Sequence, residues 1–116
     1  MAIKLGIIGY RNHAAKLLSI LENKPGVTIN TIYHPDKKID DHRFSNNFND
    51  ILDSDAVIIA SPNHTHFNYI EQLLKGFSGY IFCEKPPVTS EGELTKLDNK
   101  SSNDKARIFF NFNLRF

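Results

Sequence analysis

The chain has 116 residues and a formal net charge of +1, from 14 Lys and Arg against 13 Asp and Glu. That length accommodates one domain with a real core and is short for a complete two-substrate enzyme. The balance excludes a nucleic-acid or membrane-surface footprint, since Lys37-Lys38 is the only adjacent basic pair, and the single Cys83 excludes a disulfide framework and fits a reducing, cytoplasmic compartment.

Ile3 to Ile8 reads as a buried strand that runs into a turn at Gly9. It is apolar but short and lacks a small-residue cleavage site, so it is a first strand and not a signal peptide. No stretch approaches the length of a membrane-spanning helix. Asn12 to Asn23 reads as a helix with Ala14, Leu17, Leu18 and Leu21 on one face and Asn12 as its N-cap. Lys24-Pro25-Gly26 ends it. Val27 to Tyr33 is a β-branched second strand, closed by His34-Pro35-Asp36. Lys37 to Ser54 is polar and irregular, with a short strand near Arg43–Ser45 and a helical turn at Asn49–Asp53. Val57, Ile58, Ile59 and Ala60 form an apolar run without alternation, the pattern of a strand covered on both faces. Ser61, Pro62 and Asn63 stop it. A helix follows through Lys75, with Phe67, Ile70, Leu73 and Leu74 on its apolar face. Gly76 to Gly79 is a loop, Tyr80 to Cys83 a strand, and Glu84-Lys85-Pro86-Pro87 its stop. Thr89 or Ser90 caps another helix, with Glu91 and Glu93 at its positive end. Asn99–Asp104 is a loop, and Ala106 to Asn113 a last strand.

Strands alternating with helices predict an α/β fold with a doubly wound parallel sheet in a single Rossmann-type domain. Ligands gather at the C-terminal ends of such strands. The turns brought there are GYRNHA, HPD, SPNHTH and EKPP. The first has the context of the dinucleotide fingerprint but only its first glycine, Gly9. Tyr10, Arg11 and Asn12 follow, and Arg11 stands where a second glycine would let the backbone approach a pyrophosphate. It can pair with phosphate or fill the phosphate's space, and a tight turn with no ligand is equally open. In the second turn His34 replaces the acid that holds a ribose. With Lys37 and Lys38 close by, this tilts the choice of cofactor slightly toward NADP over NAD; a plain solvated turn is the other reading. Ser61, Pro62, Asn63, His64 and His66 crowd the next turn. Two histidines and Cys83 are too few and too loosely placed for zinc, so no metal site is expected. Glu84 and Lys85 before Pro86 put a carboxylate and an ammonium at the last turn, either for chemistry or as a surface ion pair.

Together these residues resemble the N-terminal domain of the Gfo/Idh/MocA oxidoreductases. The likeness covers nearly the whole chain. DAVIIASPNHTH matches the family's D-x-V-x-x-x-x-P-N-x-x-H block and Glu84-Lys85-Pro86 its E-K-P signature. GIIG, PGV and the closing N-x-R-F are similar too. The resemblance implies a Rossmann domain binding NAD or NADP, followed by an α/β domain that binds substrate and mediates oligomerisation. The substrates it implies are sugars, sugar nucleotides or polyols. It places Asn63 and His66 along the cofactor cleft and Lys85 at the reacting centre as the catalytic residue. Glu84 and Pro86 fix that lysine's approach, and Arg115 belongs to the crossover into the second domain. The departures are Arg11, His34, a shortened segment between Asp36 and Asp55 that abbreviates a helix on the adenine side, and about two extra residues between Gly76 and Cys83. On this resemblance the expectation is a single domain over 1–116, with the family's substrate domain absent after Phe116.

The expected function is therefore the cofactor-binding part of an NAD(P)-dependent oxidoreductase, with hydride passing between substrate carbon and nicotinamide. A second domain or partner chain completes the site, and a homo-oligomer is a reasonable expectation. The alternative is a non-catalytic Rossmann module, regulatory or partner-binding, that has lost strong cofactor binding. Arg11 and His34 favour the alternative; the intact P-N-x-x-H and E-K-P favour the enzyme lineage.

Overall fold

In the computed structural model, which describes residues 3–9, 12–38, 40–84 and 86–110, residues 12–15 are described by their backbone alone. The strands are β1 (Ile3–Ile8), β2 (Val27–Tyr33), β3 (Phe44–Ser45), β4 (Ala56–Ile59), β5 (Tyr80–Cys83) and β6 (Ile108–Phe109). They form one six-stranded sheet in the order β3-β2-β1-β4-β5-β6. Every pairing in it is parallel. Parallel neighbours need crossovers, which put helices on the sheet faces. The helices are α1 (Asn12–Leu21), α2 (His66–Gly76), α3 (Glu91–Asp98) and α4 (Ser102–Ala106), with short 3-10 turns at Phe48–Asp53 and Asn63–Thr65.

The unbroken apolar run of β4 is buried on both sides because two cores meet across it. Leu17 and Leu18 of α1 pack with Leu5, Ile7, Ile32 and Ile58 on one face. Ile70 and Leu73 of α2 pack with Ile8, Val57, Ile59 and Ile81 on the other. Alternate residues of β4 thus feed opposite cores, as the pleat requires. The second core also holds Ile51, which is fully buried. Burying one isoleucine contributes about 1.5–3 kcal/mol. This is why the polar 37–54 segment folds back despite poor local propensity. Gly6 makes room for it, since a Cβ there would meet Ile51 Cγ1 at 2.6 Å. The register slips between Leu5 and Gly6. Beside that slip Asn30 donates through Nδ2 to the Asp53 carbonyl, at 3.2 Å.

Near the β3 edge, Arg43 makes a fork on Asp41, Nε to Oδ1 at 2.9 Å and Nη2 to Oδ2 at 2.6 Å, and also reaches Glu22 at 2.7 Å. The side-chain bonds from Arg43 hold the Asp41 carboxyl well below the usual carboxylate range, overriding the opposite push of burial. A carboxylate depressed in this way adds stability above its unfolded pKa of about 3.9 and loses it as pH falls further toward the folded value. Asp41→Asn is expected to lower stability by about 1 kcal/mol at neutral pH. In urea titrations the gap between wild type and variant should close as the pH falls below about 3. A gap that persists in acid would locate the effect elsewhere than in the ion pair.

Two boundaries differ from the sequence reading. α1 ends at Leu21, and the next residues form a turn in which Asn23 Nδ2 donates to the Ser19 carbonyl at 3.0 Å. The expected loop at 99–104 contains the start of α4, where Ser101 Oγ accepts from the Asp104 amide at 3.1 Å. Ser101 and Asp104 have the spacing of a helix-start signal. The last strand consequently begins at Ile108, and its expected continuation to Asn113 runs past the described residues. Ser90 is the α3 cap, with Glu93 reaching back to the Thr89 amide at 2.8 Å. Between residues 37 and 47 the described residues contain no helix. On the α1 side the sheet is bare near its β6 edge. Tyr80 and Phe109 are 57% and 42% exposed there, and Phe82 and Phe109 stack at 5.2 Å.

Candidate cofactor-binding site

β1 lies between β2 and β4, so the chain departs in opposite directions from the middle of the sheet. A crevice opens at that switch point, outside the carboxyl ends of the strands. Gly9 sits at its floor with φ +106°. A Cβ there would lie 2.8 Å from the Ala60 carbonyl oxygen and 3.0 Å from Ser61 Cα. The residue therefore meets two demands, a backbone conformation side chains disfavour and close approach of the β4 end. Its amide donates to the Tyr33 carbonyl at 2.8 Å, so three strand ends meet at one glycine.

His34 follows β2, and its ring closes its own turn. Nδ1 accepts from the Asp36 amide at 3.2 Å and the Lys37 amide at 2.9 Å. An imidazole replaces the side-chain oxygen that usually makes such a turn. The Asp36 carboxylate also lies 3.2 Å from Nδ1, but it is 87% exposed and free to swing, while the two amides are fixed. The amides therefore set the tautomer: the Nδ1 lone pair is occupied, and the ring hydrogen sits on Nε2.

After β4, Ser61 and Thr65 hydroxyls bond at 2.7 Å, and Thr65 Oγ1 donates to the Pro62 carbonyl at 2.6 Å. These bonds knit the SPNHT turn into a rigid lead-in to α2. Asn63 and His64 are exposed on it. His66 is only 1% exposed, its Nδ1 2.7 Å from the Pro86 carbonyl oxygen and its Nε2 2.8 Å from the Ser61 carbonyl oxygen. Both ring nitrogens are thus engaged with backbone, under the turn and not toward the cleft. Glu84 is half-buried and Pro86 exposed after β5. Ile59 pairs with both Ile8 and Cys83, so the turns after β1, β4 and β5 leave the sheet at one level. Tyr10, Arg11, Lys85 and Arg115 lie outside the described residues, as does the side chain of Asn12.

The crevice has a volume of about 290 Å³ and is lined by Gly9, His34, Pro35, Asp36, Ser61, Pro62, His64, Thr65 and Tyr69. That is at the lower end of the range for small-molecule sites, roughly 300–1,000 Å³. Of the residues anticipated from sequence, Gly9, His34, Ser61 and Pro62 share this lining, while Asn63, His66, Glu84 and Pro86 lie outside it. Pro35, Asp36, His64 and Thr65 belong to the two turns expected there, and Tyr69 alone was not anticipated. Thr65 follows Ser61 by four residues, and Tyr69 follows Thr65 by four, the spacing that brings them to the same mouth. Tyr33 and Tyr69 meet edge-on at 6.0 Å, and Phe48 stacks on Tyr69 at 6.0 Å. Burial pushes both tyrosine phenols up, and the Asp36 charge adds to it in each case. An aromatic wall with one carboxylate above it therefore flanks the β2 side. Hydroxyls, an imidazole N–H and a carboxylate beside a glycine floor are groups that suit the hydroxyls and phosphates of a nucleotide.

Cys83 takes no part in chemistry at this site. It is fully buried, its thiol donates to the Glu84 carbonyl at 3.3 Å, and burial, with the Glu84 charge behind it, pushes the thiol up to about 12. Among the described residues no three His, Cys, Asp or Glu side chains are grouped as a metal site. No helix among them is long and apolar enough to cross a membrane.

Residues 3–112 match the model of the oxidoreductase family with an NAD-binding Rossmann fold, GFO_IDH_MocA. The chain belongs to the Gfo/Idh/MocA family. It is that family's NAD-binding Rossmann domain, and the strand order agrees. An inositol 2-dehydrogenase from Rhizobium meliloti (strain 1021) is 38% identical over 65 residues, covering 55% of this chain and 19% of that protein. A scyllo-inositol dehydrogenase from Lactobacillus casei, solved with NAD(H) and scyllo-inositol, superimposes with a TM-score of 0.76 at 19% identity, over 96% of this chain and 36% of that one. A 3-ketoreductase from Actinomadura kijaniata, solved with TDP-benzene and NADP in an open conformation, gives a TM-score of 0.72 at 20% identity, over 97% of this chain and 39% of that one. At such identities the structural likeness is one of fold. This Gfo/Idh/MocA chain spans about a fifth of the dehydrogenase and less than two fifths of the two structures.

Proposed function

We propose that the chain binds NADP in preference to NAD in the crevice at the β1/β4 switch point. It would form the cofactor half of an oxidoreductase acting on a sugar, sugar nucleotide or polyol. The observation that supports this most is the convergence of Gly9, His34 and Ser61 on one cleft. The preference for NADP rests on His34, whose occupied Nδ1 leaves the Nε2 N–H as the ring's remaining polar atom. A donor suits a 2′-phosphate, whereas ribose hydroxyls are better held by a carboxylate. Lys37 and Lys38 add positive charge, and the Asp36 carboxylate opposes it, so the preference is modest. Gly9 and the backbone of the Ser61 turn would hold the pyrophosphate side. Asn63 and Lys85 would serve the nicotinamide side, with Lys85 orienting a substrate hydroxyl and Glu84 and Pro86 setting its approach. The bound dinucleotide supplies hydride acceptance or donation. A second domain or partner chain would complete the substrate pocket. The inositol dehydrogenase relatives support the polyol class, and the single buried thiol fits a cytoplasmic setting.

A non-catalytic module is the second reading. It is favoured by the same His34 turn, which satisfies itself without a ligand. Titration calorimetry with NAD, NADH, NADP and NADPH separates the two. Binding with NADP(H) several-fold tighter than NAD(H) is expected. No binding by any of the four at about 1 mM, where less than about 4 kcal/mol of affinity would remain, would leave the module reading.

A further inference from the structure

Two hydroxyls of the turn after β4 line the crevice, Ser61 and Thr65. Their oxygens are 2.7 Å apart, and in that pair alone either one could be the donor. The neighbouring bond decides. Thr65 Oγ1 lies 2.6 Å from the Pro62 carbonyl oxygen and donates to it. A carbonyl oxygen only accepts, and a hydroxyl has one hydrogen to give. Thr65 therefore has none left for Ser61, and Ser61 must donate to Thr65. The reverse order would set Thr65 Oγ1 and the Pro62 carbonyl oxygen lone pair to lone pair at 2.6 Å. The Pro62 carbonyl also receives the Thr65 amide at 2.9 Å, which fixes the far end of the relay. The hydrogens run one way, from Ser61 to Thr65 to Pro62. Ser61 Oγ keeps two lone pairs and no hydrogen for a ligand, so toward the crevice it acts as an acceptor.

We propose that Ser61 accepts a hydrogen bond from the 3′-hydroxyl of the cofactor's adenosine ribose, and that Thr65 is the positioning residue that sets its polarity. The polarity follows from the relay alone; the ligand group rests on the cofactor reading above. A phosphate oxygen is itself an acceptor and is repelled by Ser61 Oγ, so this side chain leaves phosphate to other groups and takes a hydroxyl. Gly9 shows which hydroxyl. Its amide donates to the carbonyl of Tyr33, the residue before His34, and a Cβ on it would lie 3.0 Å from Ser61 Cα. The His34 turn and Ser61 thus flank one glycine, a donor on one side and an acceptor on the other. The 2′ and 3′ positions of a ribose are adjacent, and a 2′-phosphate beside a 3′-hydroxyl has the matching pattern. The Asp36 carboxylate is another acceptor in the lining, but its charge opposes the 2′-phosphate. Ser61 is neutral and holds the hydroxyl without that cost. The crevice therefore selects an adenosine phosphorylated at 2′ and free at 3′, and it refuses a phosphate at 3′.

Calorimetric titration with NADP, adenosine 2′,5′-bisphosphate, its 3′-deoxy counterpart and adenosine 3′,5′-bisphosphate tests this. Removing the 3′-hydroxyl from the 2′,5′-bisphosphate should weaken binding to the wild-type chain about fivefold, the worth of one hydrogen bond. In Ser61→Ala the same removal should change affinity by less than about twofold, because the partner is gone. No weakening in wild type, or an equal weakening in Ser61→Ala, would overturn the proposal. Thr65→Val tests the polarity. It removes the hydroxyl that takes the Ser61 hydrogen, while the amide of residue 65 still serves the Pro62 carbonyl. Ser61 can then donate, and adenosine 3′,5′-bisphosphate should bind at least about fivefold tighter than to wild type. A merely structural loss would weaken every ligand alike, so unchanged or weaker binding of this one would overturn the part given to Thr65. Should either variant not fold, Ser61→Gly and Thr65→Ala repeat the two comparisons. If the wild-type chain binds neither NADP nor adenosine 2′,5′-bisphosphate, the cofactor reading falls and takes the ribose contact with it. If both bind without regard to the 3′-hydroxyl, the ribose contact alone falls.

Discussion

Gly9→Ala is expected to destabilise the domain by about 3 kcal/mol, the sum of a strained backbone and a close contact. Alanine at φ +106° occupies a conformation that costs roughly 1–3 kcal/mol without a glycine. The added methyl also meets the Ala60 carbonyl oxygen at 2.8 Å and Ser61 Cα at 3.0 Å. These are backbone atoms of the neighbouring strand end and cannot rotate aside. For a domain of this size such a loss lowers the melting temperature by about 10 °C or more. Gly26 gives the control. It has φ +80° but nothing within 4 Å of a Cβ, so Gly26→Ala should show the backbone cost alone, about 1 kcal/mol. Urea denaturation of both variants separates the two effects. Equal losses would show that contact between Gly9 and the β4 end contributes nothing. Because Gly9 and Ser61 line the same crevice, the variant should also lose dinucleotide affinity more than stability alone predicts.

His34→Asp is expected to reverse the cofactor preference, moving the ratio of NAD to NADP affinity by tenfold to a hundredfold, about 1.4–2.8 kcal/mol. The new carboxylate can accept from both ribose hydroxyls. It also faces the 2′-phosphate with like charge, worth up to about 4 kcal/mol at 4 Å and an effective dielectric of 20 before solvent screening at this exposed turn. His34→Asn separates the turn from the ligand contact. Its side-chain oxygen can take over the Asp36 and Lys37 amides and keep the turn, but it brings neither the ring N–H nor a charge. It should therefore weaken NADP binding without improving NAD binding. Calorimetry on the three proteins reads the outcome, and an unchanged ratio in His34→Asp would mean that the β2 turn does not touch the ribose.

The sheet was legible because each strand is a short apolar run stopped by residues that cannot continue it. Ile3–Ile8 stops at Gly9, Val27–Tyr33 before His34-Pro35, and Tyr80–Cys83 before the Pro-Pro pair, and the observed bounds match. What was harder to read lies where one distant contact decides the structure. Ile51 anchors its 3-10 turn by entering a core assembled from other strands, and no local periodicity announces that. α4 is five residues long and depends on its Ser101 cap, which is easily taken for loop composition. The site divides in the same way. Gly9, His34 and Ser61 are strand-end residues and were legible from position alone. Tyr69 stands outside the apolar set Phe67, Ile70, Leu73 and Leu74 read for that helix, and it reaches the cleft because α2 follows closely on the turn after β4. His66 is a polar residue in a polar turn, and sequence alone offers nothing to distinguish a ligand from a brace. Its partner Pro86 is twenty residues away.

Cys83 gives the domain its own clock. It is the only thiol in the chain, and it sits at zero exposure on β5, between β4 and β6 and close to the turn whose Pro86 carbonyl meets His66. With its proton held so tightly, the folded state presents essentially no thiolate to a reagent. A thiol reagent therefore reacts only with molecules in which this part of the sheet has opened. When reclosing is fast, the reaction rate counts the open fraction. No label, tag or added residue is needed to follow how often the sheet opens around β5.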